Sequence, residues 1–166
     1  MRGPFPITLD LPSETATAAL AERIAPLLGA GDTLLLSGPI GAGKTHFSRA
    51  LIKARLRAAG RDEDVPSPTY TLVQTYSDGA TEIWHADLYR LTGPGETAEL
   101  GLDEAFRTAI VLVEWPDRLG AEAPEDALSL SFETAGGEAS RRLTLSSTAA
   151  RWATLIAPAL AGSAHA

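Results

Sequence analysis

Gly38-Pro39-Ile40-Gly41-Ala42-Gly43-Lys44-Thr45 decides the fold of this chain. The stretch fits G-x-x-x-x-G-K-[ST], a glycine-rich loop that wraps phosphate groups. Its flanks fit as well. Asp32-Thr33-Leu34-Leu35-Leu36-Ser37, immediately before it, is an apolar run of strand length. Residues 46 to 59, after it, contain no Gly or Pro, and Phe47, Leu51, Ile52 and Leu56 recur at helical spacing. Strand, glycine loop and helix are the context the motif needs. The glycines allow a tight turn that brings backbone N–H groups against phosphates. The helix N-terminus adds partial positive charge there. Lys44 can reach β- and γ-phosphates, and Thr45 can place its hydroxyl on Mg²⁺.

A length of 166 residues sets the expectation of a single domain with one sizeable core, residues 1–161, followed by a frayed tail at 162–166. No apolar run approaches the roughly 20 residues of a membrane span. Met1-Arg2-Gly3-Pro4-Phe5-Pro6 lacks the long apolar core of a signal peptide. A cytoplasmic location without membrane contact is the default. Cysteine is absent, which removes disulfides, thiol nucleophiles and thiolate metal sites. With only three histidines besides, a transition-metal site is excluded from the working set. The net charge of −7 argues against unaided binding to nucleic acid, which clustered cations hold. Arg49, Arg55, Arg57 and Arg61 do gather on and after the helix that follows the loop. They read first as a solvated face and second as a protein or RNA contact.

Outward from the loop, Ile7–Asp10 reads as a short strand, with Ser13 as N-cap of a helix striped by Leu20, Ile24, Leu27 and Leu28. Pro26 should kink or shorten its end. Residues 60–68 are a loop by composition. The β-rich runs 70–76 and 81–86 flank Ser77-Asp78-Gly79-Ala80 and form a hairpin signal. Residues 96–107 look helical with a break near Gly101. Residues 109–113 form a continuous apolar run, the pattern of a strand buried on both faces. A second hairpin spans 127–147, turning at Gly136-Gly137, and a last helix covers 148–160 with Trp152, Leu155, Ile156 and Ala159 on one face. Helices alternating with strands predict an α/β fold: a P-loop NTPase-like mixed sheet flanked by helices, part of it antiparallel through hairpins.

The loop alone does not say which nucleotide chemistry follows. Guanine-reading proteins use an N/T-K-x-D strand end, but this chain contains no Asn and neither lysine is followed two residues on by Asp. Asp117-Arg118-Leu119-Gly120 matches D-x-x-G yet falls three residues past the strand. A Mg²⁺-nucleotide site also needs a carboxylate at the tip of a neighbouring strand. Glu114, directly after the run 109–113, and Asp87, after the strand ending at Ala86, are the two candidates. His85 reads as a packed or hydrogen-bonded strand residue, and Trp84 and Trp152 as core. Trp115 stands beside a candidate Mg²⁺ acid and is harder to dismiss.

Taken with Ser67-Pro68-Thr69-Tyr70-Thr71-Leu72-Val73, His85-Ala86-Asp87-Leu88-Tyr89-Arg90 and Val113-Glu114-Trp115-Pro116, the loop stands in the order and spacing of the TsaE (YjeE) family. The chain resembles that family over roughly residues 7 to 120, and beyond them only in architecture. The resemblance implies a small bacterial ATPase that uses ATP and Mg²⁺ and turns over slowly alone. It implies a role in making threonylcarbamoyladenosine beside the anticodon of tRNA. The expected partner is the TsaB–TsaD heterodimer, which hydrolysis would reset, so tRNA is met only indirectly. The isolated chain is expected to be monomeric.

By motif match, Thr45 and Glu114 are the Mg²⁺ positions, and Lys44, Asp87 and Glu114 the catalytic set. Nucleotide contacts run over Gly38, Pro39, Ile40, Gly41, Ala42, Gly43, Lys44 and Thr45, and on to His46, Thr69 and Trp115. Residues 67–71 resemble a switch segment over the γ-phosphate. His46 stands where many relatives carry a second Thr, and Ile40 where Leu is common. Two alternatives stay open. One is a small-molecule kinase, in which Asp87 and Arg90 serve an acceptor hydroxyl, although no Arg-rich lid is visible and Arg141-Arg142 lies in a predicted strand. The other is a nucleotide-dependent adaptor without catalysis.

Overall fold

A computed structural model describes residues 5–68, 72–91, 96–137, 139–161 and 164–165, and the side chains of 97, 98, 164 and 165 are outside that description. The strands are β1 (Ile7–Leu11), β2 (Thr33–Ser37), β3 (Val73–Ser77), β4 (Glu82–Asp87), β5 (Ile110–Glu114), β6 (Leu128–Thr134), β7 (Arg141–Ser146) and β8 (Ala164–His165). The helices are α1 (Glu14–Ile24), α2 (Lys44–Ala58), α3 (Thr97–Leu100), α4 (Leu102–Thr108) and α5 (Arg151–Leu160). The strands form one sheet in the order β3-β4-β5-β2-β6-β7-β1-β8. Pairings β4–β5, β5–β2 and β2–β6 are parallel, and the wings on either side are antiparallel. This is the predicted mixed α/β sheet with hairpins.

The sheet is buried on both faces. Ile110 and Leu112 of β5 join the core beneath α1, α2 and α5, with Ile24, Leu51, Ile52, Trp152 and Ile156. Val111 and Val113 point the other way, into a second core with Leu102 and Ala105 of α4 and with Leu119. Successive residues of a strand face opposite sides, so an unbroken apolar run is what a strand covered twice requires.

Ser13 caps α1 as expected, its hydroxyl accepting from the Ala16 N–H at 3.1 Å. Pro26 falls in a 3-10 turn, Ala25–Leu27, that closes the helix early. Differences from the sequence reading lie at element edges. The first hairpin arm begins at Val73, because Leu72 holds φ +68 and cannot extend a strand. Residues 70 and 71 of that arm lie outside the described residues. The last helix starts at Arg151, since Ser147 and Thr148 are committed to the loop, their hydroxyls donating to the Ala127 and Glu125 carbonyls. Glu114 and Asp87 are the last residues of β5 and β4 and do not lie beyond them. Where fraying was expected, Ala164 and His165 pair with Asp10 and Leu9 of β1. Trp84 is half-buried, lying against Gly101 instead of in the core centre.

One polar cluster ties the first hairpin to the helices. Arg55 Nε and Nη2 donate to Asp78 Oδ2 at 3.2 and 2.7 Å, while Nη1 donates to the Ala25 and Leu28 carbonyls at 2.9 and 2.8 Å. Asp78 Oδ1 accepts from the Ala80 and Thr81 N–H groups at the turn. Burial pushes the Asp78 carboxyl up, but the turn amides and Arg55 outweigh it and hold the group below the ordinary carboxylate range. Asp78→Ala should therefore cost about 1–3 kcal/mol at neutral pH, measured by urea denaturation. A depressed folded pKa means that the stabilisation is present above the unfolded value near 3.9 and is lost as pH falls through the folded value. The gap between parent and variant should accordingly close on acidification.

Candidate functional site: a phosphate-loop cleft

Parallel register brings the site together. Asp87 lies opposite Glu114 across β4–β5, and Glu114 lies opposite Leu36 across β5–β2. The glycine loop leaves β2 one residue later, so loop, Glu114 and Asp87 share the carboxyl edge of the sheet. In open α/β sheets that edge is where ligands bind. A cavity of about 460 Å³ opens there, and Lys44, Thr45, Asp87, Glu114, Trp115 and Arg141 are among the residues that line it.

The loop is shaped by its neighbour β6. Gly38 holds φ +138, and a Cβ on it would stand 2.5 Å from the Phe132 carbonyl oxygen. Only glycine fits. Lys44 and Thr45 form the first turn of α2, whose N-cap is Gly43. Thr45 Oγ1 donates to Glu114 Oε1 at 2.6 Å. The other carboxylate oxygen, Oε2, lies 2.6 Å from His85 Nε2 on β4. Both oxygens of a buried carboxylate are thus engaged, one by the loop helix and one by the adjacent strand. His85 is fully buried and its Nδ1 has no hydrogen-bond partner among the described residues, so Nε2 is the nitrogen that donates.

Lys44 is 4% exposed. Its Nζ donates to the Gly38 carbonyl at 2.6 Å and stands 3.6 Å from the centre of the Trp115 ring. Burial lowers its pKa, and the carboxylates of Glu114, Asp87 and Asp117 pull it back up. The ammonium thus sits against the indole face, where burial disfavours its charge and the nearby carboxylates favour it. Trp115 takes left-handed backbone angles, φ +61 and ψ +54, which cost a bulky residue roughly 1–2 kcal/mol. That turn swings the indole over Lys44 and against Tyr89, ring centres 4.9 Å apart. Asp87 is buried, and its Oδ1 accepts from the Tyr89 N–H at 3.1 Å.

The sequence-predicted residues distribute as follows. Ile40, Gly41, Gly43, Lys44, Thr45, His46, Asp87, Glu114 and Trp115 all line the cavity. His46 also packs on α1, its Nε2 3.0 Å from the Glu14 carbonyl oxygen. Ile40 is 73% exposed at the rim. Thr69 lies outside the described residues, as do Tyr70 and Thr71. The ends of that segment are anchored, with the Leu72 N–H donating to the Pro68 carbonyl at 2.7 Å and the Asp87 N–H to the Leu72 carbonyl at 2.8 Å. Sequence reasoning missed His85 as the partner of Glu114, although H-x-D on a strand ending at the site carried a signal: period two places His85 and Asp87 on one face. It also missed Arg141, which no local pattern marks. Thr45, Glu114 and Asp87 are hard oxygen donors and suit Mg²⁺. Among the described residues no group of three His, Cys, Asp or Glu could hold a metal ion by itself.

Fold and cleft define a protein of P-loop NTPase-like architecture. The family model "Threonylcarbamoyl adenosine biosynthesis protein TsaE" matches residues 11–143, and the chain belongs to that family. The match runs past residue 120, into β7, further than the motif resemblance reached. A Streptomyces coelicolor protein, "tRNA threonylcarbamoyladenosine biosynthesis protein TsaE", is 36% identical over 150 residues, 86% of this chain and 98% of that one. A Bacillus subtilis protein of the same description is 34% identical over 137 residues, 82% of each chain. Rickettsia felis and Rickettsia conorii relatives are 42% and 43% identical, but the matched segment spans only 62% and 59% of their length. The crystal structure of Bacillus subtilis YdiB superposes with a TM-score of 0.75 at 28% identity, covering 92% of this chain and 93% of that one. No helix among the described residues is long and apolar enough to cross a membrane.

The His85–Glu114 contact makes a prediction about stability. His85→Leu leaves a buried carboxylate oxygen without its donor and should cost about 2–3 kcal/mol in chemical denaturation. Adding Glu114→Leu should restore much of that, because it removes the stranded carboxylate, while the Thr45 hydroxyl that loses its acceptor lines the open cavity and can turn to water. A double variant as unstable as the single one would mean that the cost comes from packing instead.

Proposed function

We propose that this chain is a Mg²⁺-dependent ATPase that serves threonylcarbamoyladenosine formation on tRNA by acting on a TsaB–TsaD heterodimer. The observation that carries the reading is the convergence of Lys44, Thr45 and Glu114 at the mouth of one glycine loop. Phosphoryl transfer needs positioning and charge stabilisation more than covalent chemistry. The loop amides and the α2 N-terminus supply fixed dipoles for the triphosphate. Lys44 leaves the Gly38 carbonyl for the β/γ-phosphates, where negative charge grows in the transition state. Thr45 and Glu114 would hold Mg²⁺, which when bound neutralises phosphate charge and orients the γ-phosphoryl group. Since Glu114 already bonds the Thr45 hydroxyl, it fixes the orientation of that oxygen as well as offering charge. Asp87 orients the attacking water in this reading.

Adenine is favoured over guanine because the guanine-reading strand end is missing from the sequence. Substrate tRNA is left to the partners, in keeping with the net charge of −7. Trp115 and the segment 67–71 form the candidate coupling between nucleotide and partner, through the strained turn and its stack on Tyr89.

ATP hydrolysis measured with and without purified TsaB–TsaD tests the reading. Slow turnover alone and faster turnover with the heterodimer are expected. Lys44→Ala should lower kcat/KM by about 10³-fold, about 4 kcal/mol of transition-state stabilisation. A folded Lys44→Ala protein that hydrolyses ATP as the parent does contradicts the assignment, and so does tight, salt-resistant tRNA binding by the isolated chain.

A further inference from the structure

Arg141 opens β7, far in sequence from the phosphate loop, yet its guanidinium sits on that loop. Nη2 donates to the Gly41 carbonyl and Nε to the Ala42 carbonyl, both at 2.9 Å, while Nη1 donates to the Ser140 carbonyl at 2.8 Å. The side chain is half-buried and forms one wall of the cavity. Its stem passes beneath Gly43, where a Cβ would meet Arg141 Nε at 3.8 Å.

These contacts bear on peptide orientation. In a trans peptide the C=O and the next N–H point in opposite directions. A guanidinium that draws the Ala42 carbonyl outward therefore turns the Gly43 N–H inward, toward the space where a phosphate would lie. The neighbouring Ala42 N–H is already spent on the Pro39 carbonyl at 3.1 Å, so the Gly43 amide is the donor at stake. Gly41 and Gly43, at φ +80 and +103, make the loop possible but also make a flip of the peptides between them cheap. Local sequence offers nothing to prevent that flip. Arg141 does, from across the sheet, with charge-assisted bonds to two consecutive carbonyls.

We propose that Arg141 is a positioning residue for nucleotide binding: it clamps the Gly41 and Ala42 carbonyls and so holds the Gly43 amide toward the phosphates. The inference rests on the nucleotide reading above and extends the site to the β6–β7 hairpin. A clamp of this kind differs from a cation that touches the nucleotide directly. Lysine would preserve the second role, since it keeps the charge, but not the first, since an ammonium cannot span two carbonyls as a planar fork does.

The test is calorimetric ADP binding by the parent chain, Arg141→Ala, Arg141→Lys and Arg142→Ala, each with its melting temperature. Arg142 is exposed, points to the opposite side of β7 and pairs with Asp10 at 3.6 Å, so it controls for a lost surface charge. Both Arg141 variants should bind ADP roughly tenfold or more weakly, about the loss of one hydrogen bond to a charged group, and Arg142→Ala should match the parent. The Gly43 amide resonance should move on ADP addition in the parent and far less in Arg141→Lys. If the alanine variant does not fold, the lysine variant, which keeps the aliphatic stem, decides the matter alone. Parent-like affinity in Arg141→Lys overturns the clamp, as does an unchanged Gly43 response. A parent chain that binds no ADP overturns the nucleotide reading and this inference with it, whereas binding that is indifferent to position 141 overturns the inference alone.

Discussion

Glu114 is a carboxylate buried at the end of a central strand and held from two sides, by Thr45 at 2.6 Å and by His85 at 2.6 Å. Removing such a group from water costs several kcal/mol unless donors meet it. The two donors come from different elements, one from the first turn of α2 and one from β4. They can meet Glu114 only if β4, β5 and β2 run parallel and in register. The sheet order, the seat of the glycine loop and the position of Asp87 all follow from that alignment. An apolar residue would be cheaper at this place, so the carboxylate is explained by what it does at the cleft.

Much of this was legible beforehand, for identifiable reasons. The β2–loop–α2 unit is local, and its glycines, lysine and helical spacing fall within one short stretch. The run 109–113 announced a doubly covered strand because every residue in it is apolar. The helix break near Gly101 and the turn between β3 and β4 rest on short-range chemistry too. Of the candidate site, Lys44, Thr45, Asp87 and Glu114 could be named because strand ends and the loop define one edge. His85 was judged correctly as a hydrogen-bonded strand residue, but its partner depended on which strand lies beside β4. Arg141 could not be found at all. Its bonds to residues 41 and 42 span about a hundred positions and exist only because β6 and β7 fold back against the loop. The left-handed turn at Trp115 was equally invisible, since the preceding strand and following proline permit more than one conformation there.

Two features suggest how the cleft works as more than a static cradle. Lys44 is held by the Gly38 carbonyl and the Trp115 face, so on the proposed reading engagement of a phosphate would exchange one set of partners for another. The indole that covers it packs against Tyr89, itself 46% exposed, and both line the same cavity as the exposed Ile40. Movement of Lys44 would reach the exposed Tyr89 ring through the indole. The acidic charge of the whole chain is in keeping with the proposed division of labour, in which this chain would handle the nucleotide and its partners the nucleic acid.

A crystal structure of the chain with Mg²⁺ and a non-hydrolysable ATP analogue tests the central claim most directly. The account predicts the triphosphate cradled by residues 38–45, Lys44 Nζ moved from the Gly38 carbonyl to the β/γ-phosphate oxygens, and Thr45 and Glu114 at the metal. Phosphates bound away from this loop, or a Lys44 that keeps its Gly38 and Trp115 contacts while nucleotide is present, would contradict it.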